Sequence, residues 1–320
     1  MADRSHDASG AGSADGQGPR APGGRLRANE PMSGHVSWRA GGPVACAYMP
    51  TDLDDLAAFL GAVRHDEPLL MVGLGSNLLV RDAGYGGTAV FTHGALRQLR
   101  RDADGAIYAE AGVAAPKLAR YAAREGLAEA EFLAGVPGTV GGALAMNAGC
   151  HGGETWNYVD RVLMLDRTGR RTIRTKADFS IGYRHVGLVA ALDEVFAAAW
   201  FRFPPGDGAA AAQRIQELLK KRLATQPLDL PNAGSVFRNP PGDHAARLIE
   251  AAGWKGARLG GAQVSEKHAN FIVNREGRAT AAEIEMLIGR IRVSVEEKFG
   301  VDLVREVRIV GARAEDGSTA

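Results

Sequence analysis

The run from Phe132 to Gly153, FLAGVPGTVGGALAMNAGCHGG, decides how the rest of the chain is read. It holds no Asp, Glu, Lys or Arg, and Gly135, Gly138, Gly141, Gly142 and Gly149 recur at short, irregular intervals. Glycine loses more freedom on folding than other residues and is kept where backbone takes positive φ or lies against something. Bare N–H groups bind oxyanions without a full positive charge, so the run suits a diphosphate or a flat ring system. About 20 apolar residues would also make a membrane span, but Pro137, the glycines and Asn147 argue against one, because unpaired backbone is costly in lipid. A tightly packed structural turn is the other bland alternative.

Around that run lie 320 residues with a formal net charge of +1, enough chain for two or three domains. The charge balance offers nothing to nucleic acid or an anionic membrane. Cys46 and Cys150 form no C-x-x-C pair, and the eight histidines show no H-x-x-H spacing, which argues against a disulfide framework and a dedicated metal site. Met1 to about Arg27 is built from Gly, Ala, Ser, Asp and Arg and lacks the apolar core of a secretion signal. It reads as a disordered arm on a cytoplasmic protein.

Upstream of the run, folded sequence is expected to start near Met32. His35–Pro43 and Val44–Met49 suggest a strand, a glycine turn and a second strand. Thr51-Asp-Leu-Asp54 reads as a capping box for a helix with Leu53, Leu56, Ala57, Leu60 and Val63 on one face. A strand over Leu69–Val72 then delivers the chain into Gly73-Leu-Gly75-Ser-Asn77. That segment invites comparison with the dinucleotide fingerprint G-x-G-x-x-G, but its third glycine is Leu78, no helix follows, and no acidic residue stands about 20 positions on. A Rossmann site is disfavoured. Ser76 and Asn77 remain suited to donating to a phosphate, or to bonding their own turn. Strands are expected at Ala89–Phe91 and Ile107–Ala111, and a helix opened by Pro116 and ended by Gly126.

Downstream, Val159–Leu165 and Arg171–Thr175 flank the turn Asp166–Gly169 as a hairpin, and Val195–Phe203 closes this half before Pro204–Gly208. Helices are expected over Ala209–Leu223 and Ala245–Ala252, and a strand over Phe271–Val273. A second capping box, Thr280-Ala-Ala-Glu283, launches the strongest helix, with Ile284, Leu287, Ile288, Ile291 and Val295 inward and Gly300 as its stop. Leu303–Val310 ends the fold as a strand.

Three polar residues carry candidate chemistry. Ser235 follows Gly234, has no recognisable His or Lys partner, and so suits proton donation to a basic carbanion better than nucleophilic attack. Its bland reading is a hydroxyl bonding its own turn. Arg184, in Gly182-Tyr-Arg, has the planar fork that clamps carboxylates, though alone it reads as an ion-paired arginine. Glu306, flanked by Arg305 and, two residues on, Arg308, reads alone as half of a cross-strand salt bridge.

Six motifs in order, GLGSNLLVRDAGYGG, AGVPGTVGGALAMNAG, GYR, AGSVFRNP, GWKGARLGGAQVSEKHANFIVN and LVREVRIVG, make the chain from about Met32 to Gly311 resemble the UDP-N-acetylenolpyruvoylglucosamine reductase family. These are flavoenzymes of peptidoglycan precursor synthesis. The resemblance implies an α+β chain with a vanillyl-alcohol-oxidase/PCMH-type FAD-binding fold of two α+β subdomains and a C-terminal α+β substrate-binding domain. The expected division is a tail over 1–30, an FAD-binding domain over 31–204 with subdomains of about 31–95 and 96–204, a substrate domain over 205–311 and a polar tail over 312–320.

It further implies tightly but non-covalently bound FAD, held by Arg39, Gly41, Gly42, Gly73, Gly75, Ser76, Asn77, Gly135, Pro137, Gly138, Thr139, Gly141, Gly142, Ala145, Asn147 and Gly149. NADPH is the implied co-substrate, giving hydride to flavin N5. UDP-N-acetylglucosamine enolpyruvate then receives hydride at C3 and a proton at C2 from Ser235, while Arg184 and Glu306 polarise its carboxylate. Tyr183, Arg184 and Asn239 are the implied substrate contacts, with Lys220, Lys221 and Arg222 as candidates for the UDP diphosphate. A monomer without nucleic-acid or membrane partners is expected. The short run from Tyr183 to Ser235 is similar to the family's second type, and the sequence departs from the common pattern at Leu74 and Val36. A flavin-dependent alcohol or aldonolactone oxidase would share the FAD loops but has no reason to carry Arg184, Ser235 and Glu306 together.

Overall fold

The computed structural model describes residues 21–190 and 192–313. The first subdomain contains β1 (Arg25–Pro31), β2 (Pro43–Met49), α1 (Leu53–Ala62), β3 (Leu69–Val72), β4 (Leu78–Val80) and β5 (Tyr85–Phe91). Its sheet runs β1-β2-β5-β3, with β1 antiparallel to β2, and both β2 and β3 parallel to β5. Leu56, Phe59 and Leu60 of α1 are buried, as a helix crossing between parallel strands requires.

All but the last residue of β1 falls within the tail expected over 1–30, whose first twenty residues lie outside the described residues. β1 is an ordered edge strand whose side chains are almost all exposed, so it carries no apolar alternation for a sequence reading to detect. Its start is tied down by Asp55, a fully buried carboxylate that accepts hydrogen bonds from the N–H groups of Gly23 (2.6 Å) and Thr51 (2.8 Å) and from the Tyr48 hydroxyl (2.9 Å). The helix cap lies one residue later than expected: Asp52, not Thr51, accepts the Asp55 N–H. His35–Trp38, expected as the first strand, instead follows a 3-10 turn over Met32–Gly34.

The second subdomain holds β6 (Leu99–Arg101), β7 (Ile107–Glu110), α2 (Ala115–Arg124), α3 (Val140–Met146), the short β8 (Gly149–Cys150) and β9 (Gly153–Glu154), β10 (Val159–Asp166), β11 (Arg171–Thr175), the hairpin β12 (Phe179–Gly182) and β13 (His185–Leu188), β14 (Glu194–Phe201), and α4 (Gly208–Thr225). Five strands form an antiparallel sheet ordered β11-β10-β14-β7-β6. One face buries Val162, Met164 and Phe201 against Leu118 of α2 and Leu144 of α3. The other packs Leu163, Leu165 and Ala198 on α1, so that helix is shared by both subdomains. Helix α4 belongs here too. Its Ala211 and Ile215 join the α2 core, which moves the boundary expected at 204/205 beyond the helix, because the apolar stripe of α4 is covered by what precedes it.

The C-terminal part comprises α5 (Ala245–Ala251), a small antiparallel sheet of β15 (Arg258–Leu259), β16 (Ala262–Val264) and β17 (Ile272–Asn274), then α6 (Ala281–Phe299) and β18 (Arg308–Val310). As expected, α6 has a complete capping box from Thr280 and Glu283, buries Ile284, Leu287, Ile288, Ile291 and Val295, and stops at Gly300 in the left-handed region. The strand expected over Leu303–Val310 is cut to its last three residues plus one bridge, Phe237 to Arg305. No described helix is long and apolar enough to cross a membrane.

Several contacts fasten this part to the first subdomain. β18 pairs in parallel with β4. Trp38, fully buried, donates from Nε1 to Ile272 O (2.7 Å) and accepts at its carbonyl from Asn274 Nδ2 (3.0 Å). Arg81 forks onto Glu285, and Asp82 accepts from the first N–H groups of α6, Ala281 and Ala282.

Burial acts to raise the Asp55 carboxyl, but its hydrogen bonds from Gly23, Thr51 and Tyr48 outweigh that and hold it below the ordinary carboxylate range. A depressed folded value stabilises the fold above the unfolded pKa and is lost as pH falls through the folded one. Asp55→Ala should therefore cost about 3 kcal/mol at neutral pH, and the deficit should shrink in acid, as read from denaturant unfolding at several pH values.

Candidate active site

The loop after β3 and the loop before α3 meet. A Cβ at Gly73 would collide with Thr139 Oγ1, and one at Gly138 would lie 3.3 Å from Ser76 Oγ. Gly75 turns left-handed (φ 59°) with its Cα hydrogens against His35 O and Val36, and accepts the Ser37 N–H at 3.1 Å. The Arg39–Gly42 turn lies behind β4. A Cβ at Gly41 would sit 2.6 Å from Val80 O, Gly42 abuts Asp82 O, and Arg39 is exposed at φ 55°.

Two kinds of glycine therefore share these loops. Gly73, Gly75, Gly41, Gly42, Gly135 (against Cys150 Sγ), Gly141 (against Ala111) and Gly149 (against Gly153 O) let chain pack on chain. Gly142 is open, its Cβ position meeting only Thr139 Oγ1 at 3.9 Å, and is exposed together with Pro137. With Ala145, three residues on along the same helical face, they make a smooth, uncharged surface beside Ser76 and Asn77. A flat, anionic cofactor such as FAD fits such a surface, which offers small side chains, N–H groups and no carboxylate.

Arg184 stands at the edge of this surface. Gly182 pairs with His185, so Tyr183 and Arg184 form a two-residue hairpin turn with Arg184 left-handed at φ 54°. Its Nε donates to Glu306 Oε1 (2.9 Å), Nη2 to Gly149 O (2.7 Å) and Nη1 to Asn147 O (3.4 Å). The guanidinium lies 5.0 Å from the half-exposed Tyr183 ring. Glu306 comes from the approach to β18. Asn77 Nδ2 donates to its carbonyl (3.1 Å), and its own N–H donates to Val236 O (2.8 Å).

Ser235 immediately precedes Val236, half-buried, after Gly234 at φ 75°. Three segments remote in sequence thus meet beside the loop after β3, with Arg184 and Glu306 in direct contact. Burial raises the Glu306 carboxyl, while the charges of Arg184 and Arg238 oppose that rise.

Two expected contact residues make hydrogen bonds within the chain. Asn147, left-handed and buried, donates from Nδ2 to Glu154 (2.9 Å) and Gly182 O (3.2 Å) and accepts the Trp156 N–H (3.1 Å), so it joins α3 to the Arg184 hairpin. Asn239 Oδ1 accepts the Ala245 N–H (3.1 Å) at the start of α5. Of Lys220, Lys221 and Arg222, only Arg222 is buried. It donates to Gln226 Oε1 (2.9 Å), and both it and Arg184 bear on the Cys150 thiol, whose pKa burial raises.

Arg238 was not singled out from sequence. Its place three residues after Ser235, alternating with Phe237 on an extended segment, was the available signal, and its Nε is buried with no protein partner.

A family model described as the C-terminal domain of UDP-N-acetylenolpyruvoylglucosamine reductase matches residues 226–310, and one described as an FAD binding domain matches residues 44–173. The chain is 55% identical over 303 residues to the UDP-N-acetylenolpyruvoylglucosamine reductase of Thiobacillus denitrificans, covering 91% of this chain and 93% of that one. Against the enzyme of the same name from Alkalilimnicola ehrlichii it is 56% identical over 288 residues, covering 90% and 95%. The crystal structure of UDP-N-acetylenolpyruvylglucosamine reductase from Thermus caldophilus superposes with a TM-score of 0.75 at 28% identity, covering 89% of this chain and 98% of that one. The α+β architecture of vanillyl-alcohol-oxidase type expected from the motifs is the one observed, and with relatives this similar over nine-tenths of its length the chain belongs to the UDP-N-acetylenolpyruvoylglucosamine reductase family of FAD-dependent oxidoreductases.

Proposed function

We propose that this enzyme reduces the enolpyruvyl ether of UDP-N-acetylglucosamine enolpyruvate to UDP-N-acetylmuramate, with NADPH as electron donor. The observation that carries the reading is the contact between Arg184 and Glu306 one strand away from Ser235, beside a surface suited to FAD. FAD, held against Pro137, Gly142 and Ala145 beside Ser76 and Asn77, would supply the two-electron redox chemistry that links NADPH to C3 of the substrate. Everything else falls to side chains of this chain.

As C3 gains hydride, negative charge builds at C2 and on the neighbouring carboxylate. The Arg184 guanidinium is already aimed by Gly149 O and Glu306, so its charge is in place before the reaction and needs little reorganisation. Glu306 orients that guanidinium. Ser235 gives its hydroxyl proton to C2. A hydroxyl is adequate because the carbanion is strongly basic, and serine stays protonated throughout the physiological range. Lys220, Lys221 and Arg222 of α4 are the candidates for the substrate diphosphate.

Ser235→Ala should leave NADPH-driven flavin reduction largely intact while slowing reoxidation by substrate by about 10²-fold or more, measured by anaerobic stopped-flow absorbance. Equal damage to both half-reactions would reject the assignment. Arg184→Lys retains a charge but not the fork, and turnover should fall by about 10²-fold; near-normal rates would refute the role.

Glu306 has a folded pKa raised by burial, so its protonated form favours the fold and that contribution is lost as pH rises through the folded value. Glu306→Gln should therefore lose turnover while keeping or raising its melting temperature at neutral pH. A full-activity variant would show that no carboxylate is needed.

A further inference from the structure

The segment bearing Ser235 has little secondary structure to hold it. It meets its neighbours through isolated bridges, Asn232 to Val273 and Phe237 to Arg305, and turns left-handed at Gly234 between them. An extended run with so few ladder bonds has weakly specified register. A side chain from the same core supplies the missing rungs. Asn270, in the connection between β16 and β17, accepts the Phe237 N–H at Oδ1 (3.0 Å) and donates from Nδ2 to Phe237 O (2.8 Å). Its backbone carbonyl accepts the Val236 N–H (2.9 Å).

On the opposite side, Val236 O takes the Glu306 N–H (2.8 Å) and the Arg238 N–H donates to Val304 O (2.9 Å). The two peptides that follow Ser235 are therefore gripped from both edges. One edge is the chain that carries Glu306, and the other is Asn270.

Asn270 is itself immobilised. It is 3% exposed, its N–H faces His268 Nδ1 (3.3 Å), and the turn below it is closed by Ser265 Oγ, which accepts the N–H groups of Lys267 and His268. A side-chain amide has the same donor and acceptor as a peptide unit, so gripping both atoms of one residue fixes register to that residue.

We propose that Asn270 is a positioning residue for the reaction: it locks the Val236–Phe237 peptides in register with Glu306 and thereby holds the Ser235 hydroxyl where proton delivery requires it. This rests on the reading of Ser235 as the proton donor. A donor displaced by about 1 Å costs on the order of 10²-fold in rate, so a slack clamp should be felt in one half-reaction and not the other.

The test uses the flavin-loaded full-length enzyme with Asn270→Ala and Asn270→Asp. The second keeps the shape and the acceptor for Phe237 N–H, but sets an oxygen against Phe237 O. In both variants NADPH-driven flavin reduction should stay within about twofold of wild type, while reoxidation by UDP-N-acetylglucosamine enolpyruvate slows by about tenfold or more. The solvent deuterium isotope effect on reoxidation should rise, since proton delivery becomes the slower event. Equal slowing of both halves, no slowing of either, or loss of flavin from both variants overturns the proposal, because the amide would then serve only the fold. Ser235→Ala run alongside separates the two claims: if it slows both halves alike the proton-donor reading fails, and if it is selective while the Asn270 variants are not, the positioning role alone fails.

Discussion

The parallel pairing of Arg308–Val310 with Leu78–Val80 is the constraint on which the site depends. β4 follows directly from the loop that ends at Asn77, and β18 follows two residues after Glu306. Joining the two strands in register places a carboxylate from the end of the chain beside a loop from its first quarter. The junction is reinforced close to its own axis, by Arg308 N–H to Asn77 O (3.0 Å) and Asn77 Nδ2 to Glu306 O (3.1 Å). A three-residue ladder is short for a domain junction. The Trp38 exchange with β17, the Arg81–Glu285 fork and the Asp82 cap on α6 give it the rigidity its length does not. The geometry of the candidate site is therefore a property of the interface rather than of either part.

That interface sets the electrostatics as well. Glu306 is drawn out of water, which favours its neutral form, and two guanidiniums, Arg184 and Arg238, oppose the effect. The balance matters because a carboxylate fully neutralised by one partner would leave that partner nothing to offer a substrate. Arg184 spreads its donors over Glu306 and two carbonyls, so its positive charge is aimed without being cancelled by a second carboxylate.

How much of this was legible depended on where each signal lies. Helix α6 was plain, because its 3.6-residue stripe, capping box and terminal glycine are all local. β1 was not: an edge strand with exposed side chains is specified by its partner's backbone and by the buried Asp55, neither visible in its own composition. The apolar stripe of α4 was visible but not what covers it. Asn147 was expected among the FAD contacts on the family resemblance alone, yet a buried amide must be satisfied somewhere, and Glu154, Gly182 and Trp156 satisfy it. Arg184 and Glu306 admitted a bland reading as ion-pair members and a sharp one as parts of a site. They form the ion pair with each other, so the bland reading holds and is what assembles the candidate site.

Arg184 also shows what the fold concedes to form the ion pair of the candidate site. A left-handed residue in a two-residue hairpin is ordinarily Gly or Asn, and an arginine there carries about 1 kcal/mol of backbone strain. The conformation persists because the turn is over-determined. Asn147 fixes the Gly182 carbonyl on one side, and the Gly149 and Asn147 carbonyls receive the guanidinium on the other. A glycine would relax the backbone and remove the charge, and a regular turn would keep an arginine but point it elsewhere. Strain at this position is thus the cost of directing a rigid cation along one line, towards the carboxylate that the last strand delivers.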